Sequence, residues 1–159
     1  MILGLDLGRS VGVAGVDKLG VPVFAHSWVF GQEDHGVLVH SFYVRLKTAL
    51  KRFEPELVAY EDLTSAHMQS KAWRSIWFGM RTSVLLACEG LGVAYVGVPV
   101  SAWKGEFNVP HRKPESETVA MVEAEKLQRS LPPSQRIVIS NSDLAVAVLV
   151  AATARRRAA

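Results

Sequence analysis

Three short runs dense in Val, Ile and Leu open the chain at residues 2–7, 11–16 and 21–29, separated only by Gly8-Arg9-Ser10 and by Asp17-Lys18-Leu19-Gly20. Runs of this length bounded by Gly, Ser and Asp read as β-strands, and connectors this short leave room only for hairpin turns. The first 29 residues are therefore expected to form an antiparallel meander. A small sheet needs an apolar cover, so the rest of the chain must supply one. Hydrophobic residues fill 49% of the 159 positions and charged residues 21%. That is enough apolar material for one domain core and too little charge for a disordered chain.

The remaining elements follow from periodicity. After a polar stretch at 31–36, Val37, Phe42, Leu46, Ala49 and Leu50 recur at roughly helical spacing up to Phe53 and Pro55. Residues 56–61 read as a fourth strand that ends on Glu61, with a polar loop over 62–69. From 70 to 88, Trp73, Ile76, Trp77, Met80, Val84 and Ala87 form one helical stripe, and Gly90 and Gly92 supply the stop. A fifth strand at 93–98 ends at Pro99, and a basic loop leads to a helix opened by Pro114, Glu115 and Glu117 and running to Arg129. Residues 131–135 connect to a last helix at 143–154, apolar on nearly all sides and hence buried. The order is βββαβαβαα, one domain over 1–154 with 155–159 as a frayed basic tail.

Cys88 is the only cysteine, which excludes an intramolecular disulfide and a cysteine-cluster zinc site. The start has an acid after five apolar or small residues and no basic leader, and no uncharged apolar run of about 18 residues follows. A cytoplasmic protein without a membrane partner is expected. The net charge is +3, and all Lys and Arg except Arg9 and Lys18 lie at or beyond Arg45. The basic surface is built late in the chain, in keeping with a polyanion partner.

Three acids occupy positions that need explaining. Asp6 sits between Leu5 and Leu7 inside the first strand, where a carboxylate requires a partner. Alone it could cap the Gly8-Arg9-Ser10 turn or pair with Arg9. Glu61 closes the fourth strand, and if that strand lies beside the first, the two carboxylates emerge at adjacent strand ends. Asp143 opens the buried last helix, where by itself it would simply complement the helix dipole. Together the three make an oxygen-rich site suited to Mg²⁺, which binds through few carboxylates plus water and phosphate. Two such ions serve phosphodiester hydrolysis by in-line displacement.

These residues also carry a family resemblance. Leu3-Gly4-Leu5-Asp6-Leu7-Gly8 running into Gly12-Val13-Ala14-Gly15-Val16 resembles the first two strands of RuvC-like Holliday junction resolvases. Pro55-Glu56-Leu57-Val58-Ala59-Tyr60-Glu61 resembles their fourth strand with its catalytic Glu, and Ser142-Asp143-Leu144-Ala145-Val146-Ala147 their last helix, whose opening Asp is a metal ligand. Trp103-Lys104 stands where the family carries a lysine-bearing segment. The resemblance spans nearly the whole chain in order. It implies an RNase H-like α/β fold: a five-stranded mixed sheet, with a three-strand antiparallel meander plus two parallel strands, flanked by helices. It further implies two Mg²⁺ or Mn²⁺ ions per site, a homodimer, and paired nicks in four-way DNA junctions during recombination and repair. Asp6, Glu61 and Asp143 would be both catalytic and metal-binding, and Lys104 catalytic as well. Ser140 falls where the family shows a further acid or His, so it takes the fourth ligand position, with Asn141 and Asp62 as alternatives.

For DNA, the resemblance offers Lys104, Arg112 and Lys113 as phosphate contacts. Lys71, Arg74, Phe78 and Arg81 share one face of the central helix by their spacing and could lie along a DNA backbone. A soluble helix carries such charges in any case. Trp73 and Trp77 suit either the core or a dimer interface built on that helix. Two rival readings are a YqgF-type RNA-processing nuclease, whose opening looks similar, and a catalytically impaired junction-binding protein, to which Ser140 lends support. An ATP-binding module of the actin and sugar-kinase type would need a second nucleotide-holding domain, for which 159 residues leave no room.

Overall fold

The computed structural model describes residues 1–31, 34–63, 70–112 and 114–158. Its strands are β1 (Ile2–Asp6), β2 (Ser10–Val16), β3 (Pro22–Val29), β4 (Leu57–Asp62) and β5 (Ala94–Pro99). Its helices are α1 (His35–Phe53), α2 (Lys71–Leu91), α3 (Val100–Glu106), α4 (Glu115–Lys126) and α5 (Ser142–Ala158), with a 3₁₀ turn at Pro133–Gln135. The strands form one sheet in the order β3-β2-β1-β4-β5. The meander is antiparallel, and β4 runs parallel to both β1 and β5. Parallel neighbours require crossovers, and α1 and α2 provide them.

The helices start and stop where their end residues dictate. The Asp34 carboxylate accepts from Gly36 N ahead of α1, and the Ser70 hydroxyl accepts from Trp73 N ahead of α2. Gly92 ends α2 in the left-handed region at φ 67°, a conformation that favours glycine.

Strand alternation sorts the core into two layers. Leu3, Leu5, Val11, Val13, Val58 and Tyr60 pack with Leu38, Phe42, Leu46, Ile76, Trp77 and Met80 of α1 and α2. On the other face Ile2, Ala14, Val16 and Ala59 pack against α5, with α3 and α4 beyond. The all-round apolar α5 is thus the central cover of that face, with Ala145 and residues 147–151 almost wholly buried. It lies unusually close to the strands. A Cβ on Gly4 would stand 2.0 Å from the Ala147 carbonyl oxygen, and one on Gly12 2.0 Å from that of Asp143.

Several expectations are corrected. Val37 is 53% exposed, and Leu38 takes its place in the α1 stripe. The stretch after Pro99, read as loop, forms α3; seven residues are too short to display a helical period. Helix α4 stops at Lys126 rather than Arg129. The end of the chain is no frayed tail: α5 continues to Ala158. There Arg155 donates to the Lys18 carbonyl and to Glu56, and Arg156 donates to Glu106 and lies over the Phe107 ring. Trp77 is only 2% exposed, filling this chain's own core, so it offers nothing to a dimer partner. Among the described residues no helix is long and apolar enough to cross a membrane.

Cys88 is buried on the core-facing side of α2. Burial, with Glu89 alongside, pushes its thiol up to about 11 from an ordinary 9.0. The neutral thiol therefore favours the folded state below pH 9, and that contribution is lost as pH climbs toward 11. Native protein at pH 8 should resist iodoacetamide, and urea-unfolded protein should be alkylated; ready labelling of the native form would contradict the burial.

Candidate active site

The register of β1 on β4 runs from Ile2↔Leu57 to Leu5↔Tyr60. One residue further, Asp6 and Glu61 stand at adjacent strand ends, both on the α5 side by strand alternation. Asp143 reaches the same place from the first turn of α5. The three carboxylates line one cavity of about 460 Å³. Asn141 sets that helix start: its Oδ1 accepts from Leu144 N at 3.0 Å, its carbonyl accepts from Ala145 N, and its Nδ2 donates to Ser27 Oγ of β3. It is therefore a helix cap tied to the sheet, not a stand-in ligand.

Ser140 is not brought to the site. It is exposed, lies before the cap, and does not line the cavity, whereas Ser142 does. Asp62 faces the opposite side, 4.0 Å from Arg81 Nε of α2. The fourth acid in the cavity wall is Glu117 of α4, which the sequence offered only as a helix-start charge. On these grounds Ser140→Asp should leave any metal requirement unchanged. A lowered Mg²⁺ concentration for half-maximal activity would show that the first turn of α5 is placed differently.

Short helix α3 forms the opposite wall. The buried Trp103 donates from Nε1 to Glu61 Oε1 at 2.9 Å. Lys104 also lines the cavity and donates to Ser116 Oγ at 2.8 Å and to the Pro110 carbonyl at 3.3 Å. The bond to Ser116 fastens α3 to α4, and the bond to Pro110 holds the loop between them. His111, Trp73 and Leu63 complete the rim. Neither the Trp103 bond nor Glu117 has a signal in the sequence, because both depend on how α3 and α4 pack.

The basic positions divide. Lys71 and Arg74 are exposed on the first turns of α2, beside Phe78 at 50% exposure. Arg81 is on the same face but engaged, beside Asp62 and over the Tyr60 ring. Arg112 is exposed and outside the cavity. Lys113 lies outside the described residues. The pocket beside Lys18 is lined by Arg155 and Arg156, whose bonds are internal.

No protein-family profile and no curated sequence matches the chain. Solved structures do. Thermus thermophilus RuvC in complex with a Holliday junction substrate superposes with a TM-score of 0.72 at 21% identity, over 99% of this chain and 94% of that one. A second Thermus thermophilus RuvC structure gives 0.67 at 23% identity, over 99% and 95%. The yeast mitochondrial Holliday junction resolvase gives 0.57 at 16% identity, over 98% and 77%. With the sheet order, the crossovers and the placement of α5 in agreement with the expected architecture, the chain has the RNase H-like fold of the RuvC Holliday junction resolvases.

Proposed function

We propose that this chain is a metal-dependent endonuclease that nicks branched DNA, a junction resolvase acting by two-ion phosphodiester hydrolysis. The observation that carries the reading is the convergence of Asp6, Glu61 and Asp143, from three separate elements, on one cavity. The fold shared with RuvC, one structure of which holds a Holliday junction, supports it.

The donor set suits a hard cation, being carboxylate oxygens without thiol. Among the described residues no three His, Cys, Asp or Glu side chains are grouped so that they could hold a metal ion by themselves. Mg²⁺ does not need such a grouping, since it keeps several waters and is completed by substrate phosphate. Asp6, Glu61 and Asp143 would hold the ions, which when bound activate the attacking water and neutralise the leaving oxygen. Lys104 sets a positive charge in the same wall, placed for a phosphate, and its bonds to Ser116 and Pro110 hold it there. Two symmetric nicks call for two such sites related by a two-fold axis, hence a homodimer. Phe78 and Leu86, exposed on α2, are apolar residues available to its interface.

Cleavage of labelled four-way, three-way and linear DNA on denaturing gels, with Mg²⁺ or Mn²⁺, tests the proposal. Paired nicks in the four-way junction are expected. Cutting of linear duplex alone would refute junction resolution, and binding without any nicking would favour the impaired junction binder. Junction affinity should also fall steeply with salt, because phosphate contacts release counterions. Lys71→Ala and Arg74→Ala should each flatten the slope of log K against log salt by about 0.9 if they touch phosphate in B-form arms. A slope unaltered in both variants would take the exposed start of α2 off the DNA.

A further inference from the structure

We infer that Trp103 is a positioning residue for Glu61, holding that carboxylate in the orientation in which it receives a divalent cation. The inference rests on the nuclease reading above and concerns a residue which that reading does not use. Glu61 sits at the end of β4, where the backbone fixes its Cα but leaves its side-chain torsions to be set by neighbours. Trp103 Nε1 lies 2.9 Å from Glu61 Oε1, and an indole N–H is a donor only. It therefore fixes an acceptor oxygen of the carboxylate at that point.

The indole cannot easily drift. Trp103 is 2% exposed and belongs to the core layer that includes Val100, Ala120, Ala124 and Leu144. Its position is set by the packing of α3 under α4 and α5, and adjacent Lys104 ties the same helix to Ser116. A rigid, buried donor on a ligand carboxylate is how outer groups orient metal ligands, and loss of such a partner typically costs 10–100-fold in metal affinity or activity. A charge-assisted bond of this kind is also stronger than a neutral one.

The test uses two variants of the full chain. Trp103→Phe removes the N–H and some volume. Substitution of Trp103 by benzothienylalanine replaces the N–H with sulfur and keeps the bicyclic shape, so it separates bonding from packing. Mn²⁺ binding is read directly from the free-ion electron paramagnetic resonance signal, junction nicking from the Mg²⁺ concentration at half-maximal rate, and stability from urea unfolding. Both variants should weaken Mn²⁺ binding by roughly 10-fold and raise the Mg²⁺ requirement by a similar factor, with junction binding in Ca²⁺ unchanged. The benzothienylalanine protein should unfold like the wild type. If it binds Mn²⁺ and nicks as the wild type does, Trp103 merely fills the core and the inference fails while the nuclease reading stands. A wild type that neither binds Mn²⁺ nor nicks any DNA overturns the nuclease reading, and this role with it.

Discussion

Asp6→Asn should abolish nicking while leaving junction affinity close to that of the wild type, and Glu61→Gln and Asp143→Asn should do the same. Each replacement keeps the shape of the side chain and removes one negative charge from the cavity that the three share. Metal ions in such sites supply several kcal/mol of transition-state stabilisation, so losing a ligand is expected to slow cleavage on the order of a thousandfold or more. Binding should survive because, on the proposed reading, affinity comes from exposed cations such as Lys71 and Arg74 and not from the carboxylates. Removing a negative charge from the cavity would reduce repulsion of an approaching phosphate and so would not weaken binding. Single-turnover cleavage and gel-shift titration on one synthetic junction measure the two effects separately. If affinity and cleavage vanish together in a variant whose circular dichroism is normal, the acids do not act as metal ligands.

The second large effect comes from residues with no side chain at all. Gly12→Ala would set a methyl group 2.0 Å from the Asp143 carbonyl oxygen and 2.4 Å from its carbonyl carbon. Those are backbone atoms of the turn that presents the Asp143 carboxylate, and they cannot rotate away. The first turn of α5 must move, and displacement of a reacting group by about 1 Å costs on the order of a hundredfold in rate. Gly4→Ala meets the Ala147 carbonyl oxygen at 2.0 Å and the Ala151 methyl at 2.8 Å, deeper under the same helix. There the consequence is chiefly stability. Overpacking usually costs 1–3 kcal/mol, and a clash against a buried helix backbone belongs at the upper end, about 3 kcal/mol. For a chain of this size that is a fall in melting temperature of roughly 6–12 °C. Gly12→Ala should thus lose more activity than its stability explains, and Gly4→Ala the reverse. Wild-type nicking by Gly12→Ala would mean that α5 is not seated on β2 as described.

Much of this molecule follows from local pattern. The three apolar runs joined by minimal turns could only be a meander, and the period of 3.6 in α1 and α2 is carried by residues such as Phe42, Leu46, Ile76 and Met80 that do enter the core. Asp6 and Glu61 were legible for a simple reason: a carboxylate at the end of an apolar strand breaks the alternation around it, and a local violation marks a site. Asp143 by itself reads as an acid complementing a helix dipole, and it points to a site only beside Asp6 and Glu61.

What only the tertiary structure decided concerns pairings between distant elements, which no local period encodes. Helix geometry turns each residue about 100° from the last, so capping of α5 by Asn141 rather than by a residue before it brings Ser142 into the cavity and leaves Ser140 out. Glu117 carries the same sequence signature as any acid in a first helical turn, and its place in the cavity wall depends on where α4 docks. Trp103 belongs to a helix too short to announce itself, and its bond spans 42 positions to Glu61. The arginines at the end of the chain read as a solvated tail, yet find Glu56, Glu106 and the Lys18 carbonyl because α5 crosses the whole sheet. Composition and periodicity determine which face of an element is apolar and which residue is out of place; the docking of one element on another determines which partner it meets.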